Sequence, residues 1–160
     1  MAADHADMAE TAFQHYDEKL PDMHDPLDRH YYNPFSAVYK VPMSDQIFVA
    51  QSSFIRRLAE QGPCVIVGRC ADRVLTDSVN LFIYAKMKDR VKRMVSLEPE
   101  ADPQEMEKRI REVDRKRKDY YQYYTGAQWG RAQNYHLCVE SGLVGVDGCL
   151  RAALAYLGEN

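Results

Sequence analysis

The chain has 160 residues, 46% of them hydrophobic and 28% charged, and a formal net charge of −3. That size and balance describe one folded domain with a real core, too apolar for a disordered chain and too acidic overall for a general polynucleotide binder. The longest apolar runs, "CVIVG" and "LFIYA", are too short to cross a bilayer. The acids in "MAADHADMAE" stand where a secretory signal would carry a basic start and an apolar stretch, so a cytoplasmic protein with no membrane partner is expected.

Taken in order, residues 2–20 carry alanines with acids toward the start and read as a helix ending before Pro21. Prolines break the chain from Pro21 to Pro42, where an irregular segment carrying Tyr31, Tyr32 and Tyr39 is expected. "SDQIFVAQSSFIRRLAEQG" predicts a helix with Ser44 as its N-cap, an apolar stripe through Ile47, Phe48, Phe54, Ile55 and Leu58, and a stop at Gly62. "PCVIVGR" reads as a buried strand ending in glycine, "CADRVLTD" as one or two helical turns, and "VNLFIYA" as a second buried strand. "KDRVKRMVSL" predicts a basic helix and "EPEADP" a break. The longest helical pattern follows, from Pro103 to Thr125, with Ile110, Val113, Tyr120, Tyr121 and Tyr124 along its apolar side. "YHLCVES" is a third strand and "GVDGCLRAALAYL" a last helix. Strands alternating with helices predict parallel pairing in an α/β fold.

The four cysteines, at 64, 70, 138 and 149, show no CxxC spacing and sit among apolar neighbours, so they read as buried free thiols. The five histidines form no ligand pair at helical spacing, and no metal site is expected. Positive charge is concentrated. Residues 86–118 hold twelve Lys and Arg against eight Asp and Glu, leaving nine against sixteen elsewhere. A confined positive field suits a small anion better than a long phosphate backbone.

Three segments carry candidate chemistry. In "VIVGRC", Arg69 would stand at the carboxyl end of a parallel strand, where ligands bind in open α/β sheets and a guanidinium fork matches phosphate. A rim pair with an acid such as Asp72 is the plainer alternative. On the long helix, Arg111, Arg115, Arg117 and Lys118 surround Asp114, so this helix either covers a phosphoryl group or is a solvated face with local ion pairs. Tyr120, Tyr121, Tyr123 and Tyr124 cannot all face one way. At least two are expected in the core, with base stacking open to one.

Together and in this order, "GPCVIVGRCADRVL", "LFIYA", "DRKRKDYYQYYTGAQWG" and "NYHLCVESGLVG" resemble the cytidylate kinase-like family of P-loop nucleoside monophosphate kinases, from about Gln51 onward. The resemblance implies a three-layer P-loop NTPase-like α/β fold, a parallel sheet with helices on both faces and a helical lid. It implies a core and acceptor-side region over residues 1–98, a lid over 99–130, and the last strand and helix over 131–160. By the same resemblance, Arg69 binds the acceptor nucleotide, Gln51 lies near its base, and Asp114 and Arg117 face nucleotide and phosphates. Arg111, Arg115 and Arg117 would neutralise charge during transfer of a phosphoryl group from ATP, with Mg²⁺, to an acceptor such as CMP. The partner implied is a small nucleotide, with a homo-oligomer open.

The departure is equally informative. The family opens with a strand and a Gly-rich phosphate loop, yet no G-x-x-x-x-G-K-[ST] run occurs here, and "GLVGVDG" lacks the Lys and Ser. The chain is expected to correspond to a family member without its first strand and phosphate loop, roughly thirty to forty residues by ordinary element lengths. Loss of that strand, which lies between those matching "CVIVG" and "LFIYA", would leave both runs short of a neighbour. Direct pairing of the two, pairing with a second chain, or marginal stability is then expected. Impaired transfer, a non-catalytic nucleotide-binding module and, more remotely, an RNA-binding protein are the functions to separate.

Overall fold

The computed structural model describes residues 15–16, 18–28, 31–33 and 38–158, with backbone alone for 31–33 and 38–40. Of the predicted first helix, residues 2–14 and 17 lie outside the described residues; His15 and Tyr16 are helical, but residues 18–20 are not, so the helix does not run on to Pro21. Two compact units emerge: described residues up to Asp77 joined by Asp119–Gly126, and Ser78–Lys118 joined by the chain from Ala127.

In the first unit the proline-broken segment contains a short antiparallel hairpin, β1 (Tyr31–Asn33) and β2 (Val38–Lys40), in register Tyr31↔Lys40. Three-residue strands carry too little alternation to be told from an irregular segment in sequence. Helix α1 follows at Met43–Glu60, its buried face made by Ser44, Ile47, Gln51, Ser52 and Ile55 at helical spacing. Ser44 is not the N-cap; Pro42 is, and no side chain of its own caps the helix. The capping function comes from sixteen residues upstream. Asp28, only 1% exposed, accepts from the Ser44 N–H at 2.8 Å and from its Oγ at 2.7 Å through one oxygen. Its other oxygen accepts from the Asp22 N–H at 2.9 Å. A buried carboxylate thus finds three donors near the positive end of a helix, which offsets its desolvation.

The tyrosine-rich end of the long helix packs on α1. Phe48 stacks on Tyr124 at 4.0 Å between ring centroids and meets Tyr120 edge-on at 6.2 Å. Tyr124 donates to Asp45 in the first turn of α1 at 3.0 Å. Tyr120 and Tyr121 are buried and Tyr123 is exposed, the split that helical geometry requires.

The predicted strand at Cys64–Gly68 does not form. Residues 63–67 carry no regular structure, and Val65 and Val67 are 95% and 89% exposed. Nor are all the thiols buried: Cys70 is, but Cys64 is exposed. The short helix α2 (Ala71–Val74) follows, packed against α1. The turn into it holds Gly68, Arg69 and Cys70 all at positive φ, of 75°, 55° and 54°. For Arg69 and Cys70 that conformation is strained by roughly 1–2 kcal/mol each.

In the second unit β3 (Leu81–Tyr84) pairs in parallel with β4 (Leu137–Glu140), in register Leu81↔Leu137 through Tyr84↔Glu140. The pair begins at a polar staple. His136 donates its N–H to the Asn80 carbonyl at 2.8 Å, and its Nδ1 accepts from the Asn80 N–H at 2.9 Å. Phe82 lies among Tyr135, Trp129 and Tyr84, with ring centroids 4.7, 5.5 and 6.3 Å away. A Cβ at Gly130 would stand 3.2 Å from the Phe82 ring, so the glycine there admits the close approach.

Helix α3 (Met87–Leu97) leaves the carboxyl end of β3, and helix α4 (Pro103–Thr125) follows the predicted acidic break. Asp102 caps α4 by accepting from the Gln104 and Glu105 N–H groups at 3.0 and 2.9 Å, with Pro103 in the first turn where no N–H is needed. Met106 and Ile110 are its buried residues in this unit. Helix α5 (Ser141–Leu157) leaves the carboxyl end of β4 and is interrupted at Gly145, whose φ of 69° and ψ of −178° lie outside helical space.

Candidate functional site

Parallel strands deliver both β3 and β4 carboxyl ends to one edge of the second unit, and the helices that follow, α3 and α5, begin there. An open cleft of about 310 Å³ lies at that edge, lined by Asp89, Lys92, Arg93, Ser96, Ser141 and Gly142. Asp89, Lys92, Arg93 and Ser96 recur at helical spacing on α3 and so share a face. Ser141, buried, donates from Oγ to the Tyr84 carbonyl at 3.1 Å and accepts from Arg93 Nη2 at 3.3 Å. Arg93 is therefore tied to the rim of the strand pair. The Asp89 carboxylate closes over the start of α5: a Cβ at Gly142 would stand 2.8 Å from Asp89 Oδ2, so a larger residue there would push the carboxylate aside. Two cations and two hydroxyls against one carboxylate form a lining suited to an anionic ligand.

The lid cations lie on α4 in the same unit. Arg111 pairs with Glu107 one turn earlier, and Lys116 with Glu112, both exposed and typical of a solvated helix face. Glu112 is held below its ordinary carboxylate range by its hydrogen bond and charge contact to Lys116, with Arg115 adding to it. Arg115 and Arg117 are exposed. Asp114 does not stand open. Arg90 of α3 grips it with Nη1 at 2.5 Å and Nη2 at 2.8 Å, one nitrogen on each carboxylate oxygen. This bidentate contact raises the Arg90 pKa further above its ordinary value.

The acceptor-side candidates lie in the first unit. Gln51 is buried on α1, and beside it the Ser52 Oγ is buried with no hydrogen-bond partner among the described residues. Arg69 pairs with Glu18 at 2.6 Å, both about one-third exposed, a different acid from the nearby Asp72. Asp72 instead accepts from the buried Tyr121 hydroxyl at 2.5 Å, while Arg73 Nε donates to the same hydroxyl at 3.0 Å. That network joins the turn after Arg69 to the tyrosine end of α4.

Arg90, Lys92, Arg93, Ser96 and Ser141 were not singled out from sequence. Their signal was present: "KDRVKR" follows one predicted strand and Ser-Gly follows another, both at carboxyl ends of parallel strands.

Helices flanking a small open parallel sheet, with a polar cleft at the strands' carboxyl edge and a basic helix beside it, define a reduced P-loop NTPase-like α/β protein. The cytidylate kinase-like family matches residues 1–143, and the chain belongs to that family. A similar solved structure is an uncharacterized protein from Eubacterium ventriosum ATCC 27560. It is 30% identical, with a TM-score of 0.68 over 72% of this chain and 74% of that one. No curated protein matches this chain.

Proposed function

We propose that the protein binds nucleotides in the manner of a nucleoside monophosphate kinase, with a CMP-like acceptor and ATP as the nucleotide classes. The observation that carries this reading is the cation-lined cleft at the carboxyl edge of β3 and β4, where Lys92 and Arg93 present positive charge to a phosphate-bearing ligand. On the acceptor side, Arg69 would exchange its partly exposed Glu18 pair for a phosphate. The buried Ser52 hydroxyl next to Gln51 offers a polar group to a base or sugar.

In the full reaction the γ-phosphoryl group of ATP passes to a phosphate oxygen of CMP, leaving ADP and CDP. Catalysis of that step is positioning and charge neutralisation, roles suited to Arg111, Arg115 and Arg117. The cleft fits the anionic phosphates. Its one carboxylate, Asp89, stands among the cations Lys92 and Arg93, so without substrate phosphates this lining does not fit Mg²⁺. The sequence carries no G-x-x-x-x-G-K-[ST] cradle, which favours nucleotide binding with impaired transfer by these residues alone.

Calorimetry with CMP and with ATP tests the reading. Arg69→Ala is expected to weaken CMP binding by about 1.5–3 kcal/mol, the worth of a charged hydrogen bond. Unchanged CMP affinity would return Arg69 to a purely structural pair with Glu18. Coupled-assay turnover of roughly 1–100 per second with ATP and CMP, the usual kinase range, would overturn the expectation of impaired transfer.

A further inference from the structure

Between Ile110 and Tyr120, helix α4 has no buried residue: residues 111–119 are exposed or half-exposed, and even Val113 is 37% exposed. This is the stretch that carries Arg111, Asp114, Arg115 and Arg117. Apolar packing therefore does not fix it. Its Arg111–Glu107 and Lys116–Glu112 pairs are internal to α4 and tie it to nothing else. The bidentate contact from Arg90 on α3 to Asp114 differs in kind, because it reaches from another helix and fixes both distance and rotation through two parallel hydrogen bonds. Both side chains are about three-quarters covered, so the pair is screened less than the surface ones. Arg90 also lies next to Asp89 and three residues before Arg93, both of which line the cleft.

We infer that Arg90 is a positioning residue: it sets the exposed, arginine-bearing stretch of α4 by clamping Asp114 to the helix that carries the cleft. The inference rests on the nucleotide-binding reading above and deepens it. Lysine cannot reproduce a fork, since its ammonium is a single point donor, so the geometry rather than the charge is what matters.

The test uses the full chain, CMP as probe, and the variants Arg90→Ala, Arg90→Lys, Asp114→Ala and the Arg90→Ala/Asp114→Ala pair. Each single alanine variant is expected to weaken CMP binding about tenfold, a 1.4 kcal/mol effect, with the double variant no weaker than either single one. Arg90→Lys should recover only part of the loss. Amide hydrogen exchange read in parallel should show faster exchange confined to residues 111–118 in Arg90→Ala, with protection of β3 and β4 unchanged. Wild-type affinity in the single variants, or losses that add in the double, would overturn the positioning role. So would unaltered exchange over 111–118. If wild type fails to bind CMP, the nucleotide reading falls, and the exchange measurement still decides whether Arg90 holds this stretch.

Discussion

Two short runs of nearly the same chemistry meet opposite fates. Residues 64–67, Cys-Val-Ile-Val, and residues 81–84, Leu-Phe-Ile-Tyr, both read as buried strands. Only the second is a strand, and it is not a buried one: Leu81 and Phe82 are half-buried, while Ile83 and Tyr84 are 48% and 47% exposed. Leu81–Tyr84 has a parallel neighbour in β4, a polar staple at Asn80–His136 and an aromatic cluster around Phe82. Cys64–Val67 has no ladder among the described residues, and its valines face solvent. β-branched residues fit a pleated, half-buried surface; they do not create one. A strand exists where another strand satisfies its backbone and a neighbouring element covers its side chains.

The contrast breaks most readily at Phe82. Phe82→Ala should destabilise the protein by about 2–4 kcal/mol, below the most severe core truncations because the ring is not fully buried. Thermal and urea unfolding would measure it, and a loss under about 1 kcal/mol would mean the aromatic cluster does not hold β3.

A smaller effect is expected at the carboxyl end of the same strand. Ser141→Ala removes the donor to the Tyr84 carbonyl and the acceptor for Arg93, both long bonds, and should cost about 1 kcal/mol. It should also loosen phosphate-dependent binding at the cleft, which calorimetry with ATP would read. Val65→Ala, by contrast, should change stability by no more than about 0.5 kcal/mol, as expected of an exposed position. A larger loss would show that residues 63–67 are covered in solution, by self-association or by strand pairing.

The mildest probe leaves the sequence intact. Cys64 is exposed and should react promptly with a thiol reagent under native conditions. Cys70 should not: it is buried, and burial, followed by the nearby Asp72 charge, pushes its thiol up to about 12, so the reactive thiolate is scarce at neutral pH. Mass spectrometry of labelled peptides would rank the two. Equal protection of both would place Cys64 inside a covered strand and remove the contrast with β3.

Much of the organisation was legible beforehand. Helical periodicity placed α1, α4 and α5, and the acidic, proline-bounded break before α4 was correctly located because Asp-Pro supplies both the cap and the first turn. The sequence order of motifs led to the family, and the basic stretch of α4 was visible as charge. Less legible were the partners. Asp28 caps α1 from a distance in place of Ser44, Glu18 takes Arg69, and Arg90 takes Asp114, because ion pairs and distant caps depend on which elements become neighbours.

By itself the sequence determined where helices run, which of their faces are apolar, and which segments concentrate positive charge, since those follow from local periodicity and residue chemistry. Only the tertiary structure decided which apolar run became a strand, which acid each arginine met, and that Asp89, Lys92, Arg93 and Ser141 share one cleft. The physical reason is that backbone pairing, burial and charge neutralisation between distant residues are properties of neighbours in space, and local sequence carries no record of them.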